Sequence, residues 1–192
     1  MIIEAPQVAL VDYVCDRFSL PTGAIAQNMP RSLPQTGQSI VSTGVLSLYG
    51  IGFNFDQVVS SVSFTSGGTA LTQGDSNHLW AVLCTSGGVV RAVTADDTTP
   101  VWAANTTKTF TFAASYRIPT AGFWYVGFMF AHGGGAGVVP TLSGVTQTLT
   151  TVAGRAPIMA VASSTGQTTP PSLGASMTVG AVKAGIAYVS AA

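Results

Sequence analysis

A ten-residue stretch, Gly122–Ala131, is apolar at almost every position and reads GFWYVGFMFA. Side chains of an extended strand alternate between the two faces of a sheet. One face of this stretch carries Phe123, Tyr125, Gly127 and Met129, and the other carries Trp124, Val126, Phe128 and Phe130. A strand that is apolar on both faces must be covered on both, by its own domain or by a second chain. The stretch therefore predicts a central strand of a packed β-sheet.

The segment before it, residues 109–113, places Phe110 and Phe112 two positions apart and so on one face. From residue 39 onward, short segments rich in β-branched residues alternate with Ser and Thr, which is typical of strands. Those segments are residues 39–48, 57–65, 78–85, 89–94, 138–142, 146–152, 157–162 and 185–190. The sequence Ser86-Gly87-Gly88 indicates a β-hairpin connection.

No stretch shows sustained helical periodicity with capping residues. We therefore expect residues 39–192 to form one all-β domain, an antiparallel β-sandwich of jelly-roll type. Five aromatic residues are expected in or against its core, with a tryptophan and a cysteine nearby. These residues are Phe110, Phe112, Phe123, Tyr125 and Phe128, then Trp80 and Cys84.

The first 38 residues differ in composition from the rest and contain four of the ten prolines. Proline disfavours helix at its own position and at the preceding residue, so this segment is expected to be extended. Its large apolar side chains argue against a solvated tail. Residues 1–38 are therefore predicted to be an attachment arm that docks on a partner, with folding back onto the domain as the alternative. The side chains expected to make the attachment are Ile2, Ile3, Val8, Leu10, Tyr13 and Phe18.

Charged residues make up only 7% of the chain, and the formal net charge is zero. Binding to nucleic acid or to an anionic membrane through charge is therefore not expected. No run approaches the roughly 18 apolar residues of a membrane-spanning helix, so membrane insertion is not expected either. The N-terminal sequence carries acids where a secretory signal carries positive charge. A chain with so few charges is weakly protected against association, so we expect it in an assembly.

Few residues are suited to catalysis or to holding a metal. His78 and His132 lie at the ends of predicted strands and have no metal-binding spacing. Asp96 and Asp97, with Asp75, are clustered acids without the alternating spacing of a calcium loop. The glycine-rich residues 133–137 lack the Lys-Ser/Thr that follows in a P-loop. No serine lies in a nucleophile elbow, and the sequence predicts no catalytic residue, metal or cofactor.

Much of the predicted β domain resembles the β-sandwich domain of virion proteins from phages that infect actinobacteria. Those proteins are described as minor tail proteins, tail fibres or head appendages. The resemblance covers about residues 40–190 and leaves the N-terminal arm outside. It is carried by Trp80, RAVTAD at residues 91–96, Trp102, Pro119, GFWY at residues 122–125 and the Thr-Gly…Thr-Pro-Pro of residues 165–171. It implies a β-sandwich with a structural role in a virion.

Two non-enzymatic functions follow. The first is a structural virion protein, a homo-oligomer with a trimer favoured, mounted by its arm on the capsid or tail as a decoration or fibre-like appendage. The second is a tail module that binds a host-surface glycan, which needs an aromatic ring exposed beside polar loop groups. Trp102 and Trp124 are the candidate glycan-contacting rings. An enzyme that degrades cell wall would need facing carboxylates, and with only seven acids in the chain it is not expected.

Overall fold

A computed structural model of the 192-residue chain describes residues 23–29, 34–38, 43–72, 77–132, 138–145, 159–161, 168–179 and 186–192. Within these ranges the chain forms twelve strands and no helix. All pairings between the strands are antiparallel, which confirms the expected all-β antiparallel fold. The described part of the chain holds no helix long and apolar enough to cross a membrane.

The strands are β1 (Ala26–Gln27), β2 (Gln35–Gln38), β3 (Ser47–Phe53), β4 (Val58–Thr65), β5 (His78–Thr85), β6 (Val90–Val93), β7 (Thr107–Arg117), β8 (Gly122–Ala131), β9 (Leu142–Val145), β10 (Met159–Val161), β11 (Ile186–Ala187) and β12 (Val189–Ala191). One sheet has the strand order β1-β12-β4-β7, and a second has the order β10-β3-β8-β5-β6. A small third sheet has the order β11-β9-β2. Because β3 pairs with β8 and β4 pairs with β7, the β3–β4 and β7–β8 turns connect the two large sheets.

The main core lies between the two large sheets and is centred on Phe128, which is fully buried. Its ring centroid lies 5.1 Å from that of Phe64, 5.9 Å from that of Phe110 and 5.9 Å from that of Trp102. These separations and the tilted or edge-to-face orientations are those that aromatic pairs prefer. Phe110 and Phe112 of β7 are buried in this core, as the sequence predicts.

A second apolar layer covers the outer face of the five-stranded sheet. Trp80, Cys84 and Tyr125 lie in it, and Met177 packs against them from a segment that runs beside β6. Two backbone hydrogen bonds fix that segment: Val90 N donates to Ala175 O and Met177 N donates to Gly88 O, each at 2.9 Å. Gly88 has a φ of +84°, and a Cβ there would collide with the Met177 carbonyl oxygen, so this contact requires glycine.

Both faces of β8 are therefore covered within one chain. Trp124, Val126, Phe128 and Phe130 belong to the main core, and Tyr125 and Met129 to the second layer. This is the alternation that the sequence predicts. Phe123, at the start of the strand, is only half-buried and packs edge-to-face on Tyr125 at 5.1 Å.

The predicted strand over residues 39–48 is wrong in position. The strand β3 covers Ser47–Phe53, and residues 43–44 form a turn in which Gly44 has a φ of +68°. The sequence SLYGIGF contains two glycines, which weaken the strand pattern, yet residues 47–53 are buried and lie between β10 and β8. The strand expected at residues 138–142 lies instead at Leu142–Val145, which is β9. The strand expected at residues 146–152 lies outside the described residues.

The boundary expected at residue 38 also needs correction. Within the described residues of that segment, β1 pairs with β12 and β2 pairs with β9, so both belong to the β domain. The Asn28 side chain extends the pairing of β1 with β12. Its Nδ2 donates to Ala187 O at 2.7 Å, and its Oδ1 accepts from Val189 N at 3.0 Å. Residues 1–22, with the six proposed attachment side chains, lie outside the described residues.

Candidate functional site

Three turns lie together at one end of the sandwich, here called the hairpin end. They are the β3–β4 turn at residues 54–57, the β5–β6 turn at 86–89 and the β7–β8 turn at 118–121. The strand register places them there, because Phe53 pairs with Gly122, Thr85 with Trp124, and Val58 with Arg117.

The β3–β4 turn is fixed by hydrogen bonds within itself and to the neighbouring turn. Asn54 N donates to Gln57 Oε1 at 2.7 Å, and Asp56 N donates to Ile118 O at 2.9 Å. Ile118 N donates in return to Gln57 O at 2.8 Å. Asp56 has a φ of 67°, a left-handed conformation that Asp tolerates better than most residues. The turn therefore has one defined backbone conformation.

An exposed ion pair joins the same two turns. Arg117 Nη1 lies 2.7 Å from Asp56 Oδ1, with the two side chains 63% and 56% exposed. A pair this exposed contributes less than about 1 kcal/mol to stability. It places a guanidinium and a carboxylate side by side at the hairpin end, where their charges cancel.

Phe55 is the largest apolar side chain that this turn presents to solvent. It is 67% exposed, and Val58 at the start of β4 is 42% exposed. Pro119, Thr120 and Ala121 of the adjacent turn are exposed as well. Phe55 is thus an exposed aromatic residue on a turn whose backbone is fixed, next in sequence to the Asp56–Arg117 pair.

The outer face of β4 and β7 carries hydroxyl groups in register. Ser63 Oγ and Thr109 Oγ1 are hydrogen-bonded at 2.8 Å, and Thr65 Oγ1 and Thr107 Oγ1 at 2.9 Å. Ser61 lies opposite Thr111 in the same pairing. This face is polar and carries no charge at these six positions.

The opposite end of the sandwich holds the acidic pair that the sequence singled out. Asp96 Oδ2 lies 2.6 Å from His78 Nδ1, and Asp96 Oδ1 accepts from Leu79 N at 3.2 Å. Asp97 Oδ2 instead accepts from Lys108 Nζ at 3.0 Å. The two carboxylates therefore contact different side chains, His78 and Lys108, while Asp75 lies outside the described residues. No group of three metal-ligating side chains converges in the described ranges.

The two tryptophans expected to contact a glycan are buried, so the expected glycan contact at these rings is wrong. Trp102 is 3% exposed and Trp124 is 6% exposed. The Trp102 ring packs on Phe110 and Phe128, and its Nε1 donates to Thr106 O at 3.0 Å. The Trp124 ring packs on Tyr116 at 5.8 Å. Neither ring has a face available to a sugar because the core occupies it.

Two titratable groups of the second apolar layer are shifted toward their neutral forms. Burial raises the pKa of the Cys84 thiol to about 12 and that of the Tyr125 hydroxyl to about 12. A thiol in this state is a poor nucleophile at neutral pH. Cys84 thus packs as a small apolar residue, as expected from the sequence.

Sequence reasoning overlooked Phe55. In the sequence GFNFDQ, Phe53 and Phe55 are two positions apart and would share one face of a continuous strand. The chain instead turns at residue 54, so Phe53 is fully buried and Phe55 is exposed. The available signal was Asn54 and Asp56, residue types that favour turns, on either side of the ring.

Comparison with known proteins gives no assignment. No family model, no curated protein and no solved structure matches this chain.

Proposed function

We propose that this chain is a non-enzymatic structural protein of a phage virion. It serves as a β-sandwich unit mounted through its N-terminal residues on the capsid or tail, as a decoration or fibre-like appendage. The virion assignment rests on the sequence resemblance at about residues 40–190. The structural observation that supports a role in an assembly is the outer face of β4 and β7, where six hydroxyl-bearing residues in register carry no charge.

The distribution of charge supports the same role. Among the described residues, each aspartate is engaged by a cationic or histidine side chain: Asp56 by Arg117, Asp96 by His78 and Asp97 by Lys108. Little charge is left to keep copies of the domain apart. A homotrimer, in which neighbouring copies cover this low-charge surface, is the arrangement we favour.

The strand connections support a sandwich of jelly-roll type. Strands β3 and β8 pair in one large sheet, strands β4 and β7 pair in the other, and the β3–β4 and β7–β8 turns carry the chain between the sheets. Strand pairs joined across two sheets in this way are a feature of a jelly roll. Such sandwiches serve widely as building blocks of viral particles, which fits the proposed role.

Attachment is proposed to use residues 1–22, since β1 and β2 belong to the domain. Removing residues 1–22 should leave the sandwich folded while the protein no longer joins the particle. The test compares full-length and truncated protein by circular dichroism, and then by mass spectrometry of purified particles. Incorporation of the truncated protein at the full-length level would refute attachment through these residues. Absence of the full-length chain from purified particles would refute the virion role itself.

A further inference from the structure

We propose that residues 174–179, here called the covering segment, protect the edge of β6 and thereby prevent two copies of the domain from pairing through that edge. Strand β6 is the last strand in the order β10-β3-β8-β5-β6. An edge strand offers unpaired backbone groups to any extended chain that approaches it. Because β6 and the β4–β7 face lie in different sheets, this protection is separate from the trimer contact proposed above and does not depend on the virion role.

The covering segment is bound to β6 as a further antiparallel strand would be. Val90 N donates to Ala175 O, and Gly174 N donates to Val90 O, each at 2.9 Å. Ser176 lies directly opposite Val89 in the same antiparallel pairing. Both backbone groups of Val90 are therefore occupied, and a strand from another chain finds no bonding position at this residue.

The β5–β6 hairpin is shaped to admit the covering segment at close range. Met177 N donates to Gly88 O at 2.9 Å. A Cβ at position 88 would collide with the Met177 carbonyl oxygen and would lie 3.0 Å from Val179 Cγ2. The φ of Gly88, +84°, is one that residues with a side chain rarely adopt. Glycine at this position is thus needed both for the hairpin and for the contact that closes the edge.

The side chains of the covering segment alternate as in a strand with one buried face. Ala175, Met177 and Val179 pack against the second apolar layer, whereas Ser176 and Thr178 are exposed. The segment therefore covers apolar surface on its inner side and presents hydroxyl groups to water on its outer side.

A second copy of the chain is the partner that an uncovered β6 edge would fit. With the segment displaced, the N–H and C=O of Val90 lose their partners, and part of the second apolar layer around Val90 and Cys84 loses its cover. Arg91 is the only charged residue of β6, so charge protects this edge weakly. Two copies of Val90 related by a two-fold axis can exchange two backbone hydrogen bonds, which makes the edge complementary to itself.

The test displaces the covering segment of the full-length protein from either side of its contact with the hairpin. Gly88→Ala places a Cβ against the Met177 carbonyl oxygen, and Met177→Pro removes the N–H that donates to Gly88 O. In both variants we expect faster hydrogen exchange at the Val90 amide and, in sedimentation velocity, species of about twice the native mass. Self-association should tighten at least about tenfold, with the β-sheet signal in circular dichroism retained.

The matched control is Gly23→Ala. Gly23 has a φ of +82°, close to that of Gly88, but a Cβ there meets nothing within 4 Å. The control therefore introduces the same backbone strain without a collision, and it should keep the native mass. Association of Gly23→Ala to the same extent as Gly88→Ala would overturn the proposal, because strain alone would then be the cause.

A disulfide that fixes the covering segment in place distinguishes its release from general unfolding. Val89→Cys and Ser176→Cys place two thiols at directly opposite positions, in a Cys15→Ser background and combined with Met177→Pro. The oxidised protein should have the native mass, and the reduced protein should associate. The proposal is overturned if the oxidised protein associates as strongly as the reduced one, or if neither Gly88→Ala nor Met177→Pro alone raises the mass.

Discussion

Gly127 of β8 lies so close to Val82 of β5 that no larger residue fits between them. A Cβ at position 127 would lie 2.5 Å from Val82 Cγ2 and 2.8 Å from Leu48 Cδ2. The methyl groups of the two neighbouring strands fill the space that a side chain at position 127 would occupy. This is why a glycine interrupts the apolar run of β8.

Replacing Gly127 with Ala should therefore destabilise the protein by about 1–3 kcal/mol, because the second apolar layer must shift to admit one methyl group. Urea unfolding measures the loss. Gly68→Ala is the control, since a Cβ there meets nothing within 4 Å. Equal stability of the two variants would contradict the close packing described for β8.

Phe128→Ala should lower the free energy of unfolding by about 3–5 kcal/mol, since the fully buried Phe128 ring packs against Phe64, Phe110 and Trp102. Phe123→Ala should cost less, because the Phe123 side chain is only half-buried. Phe55→Ala should change stability by no more than about 0.5 kcal/mol. Thermal unfolding of the three variants tests this order, and a stable Phe128→Ala protein would show that the core is placed wrongly.

The turn conformation at Asp56 can be tested with three substitutions. Asp56→Ala should cost about 1 kcal/mol, because Ala is strained at a φ of 67° and the contact with Arg117 is lost. Asp56→Gly should be close to neutral, since relief of strain offsets the lost ion pair. Asp56→Asn should also be tolerated, as Asn accepts the left-handed conformation. Chemical denaturation measures the stability of the three variants. Equal losses of stability for Asp56→Ala and Asp56→Gly would exclude a left-handed conformation at residue 56.

Alkaline pH should destabilise the fold through Cys84. The thiol has a reference pKa of 9.0, and burial raises its pKa in the folded protein to about 12. Between these values the unfolded chain loses the proton while the folded chain keeps it, so stability falls as pH rises from about 9. Below pH 9 the group has no effect on the pH dependence.

The measurement is the free energy of unfolding across this alkaline range for the native protein and for Cys84→Ala. The variant should lose stability less steeply with pH, because the buried thiol no longer contributes to the titration in this range. Its lower stability at neutral pH, from the smaller side chain, is a constant offset. Parallel curves for the two proteins would rule out a buried neutral thiol.

Extending the N-terminal deletion from residue 22 to residue 36 should destabilise the sandwich. The longer deletion removes β1 and the Asn28 bonds to residues 187 and 189, and so uncovers the edge of β12. Circular dichroism and a melting curve of the two truncations distinguish them. Equal melting temperatures would mean that β1 contributes nothing to the fold.

The two strands with an unbroken apolar sequence, β5 and β8, were the easiest to predict. The bounds of β5 and β8 agree with the apolar segments at 78–85 and 122–131. Each strand is apolar on both faces, so its sequence alone indicates a buried strand. Strands β1, β11 and β12 have two or three residues, too few for any alternation, and they exist because distant partners offer backbone hydrogen bonds. Asp96 and Asp97 show the same limit, because adjacent positions in sequence point to different partners, His78 and Lys108.

The position of β12 has a consequence for how the protein is made. Residues 189–191 pair with β4 on one side and with residues 26–27 on the other, so β12 is an inner strand of its sheet. During synthesis, the sheet cannot close until residue 191 has left the ribosome. Until then the edge of β4 that pairs with β12 stays unpaired, while more than a hundred further residues are translated. Such long-range closure makes folding slow. We therefore expect chaperone supply and translation speed to limit the yield of this protein more than its final stability does.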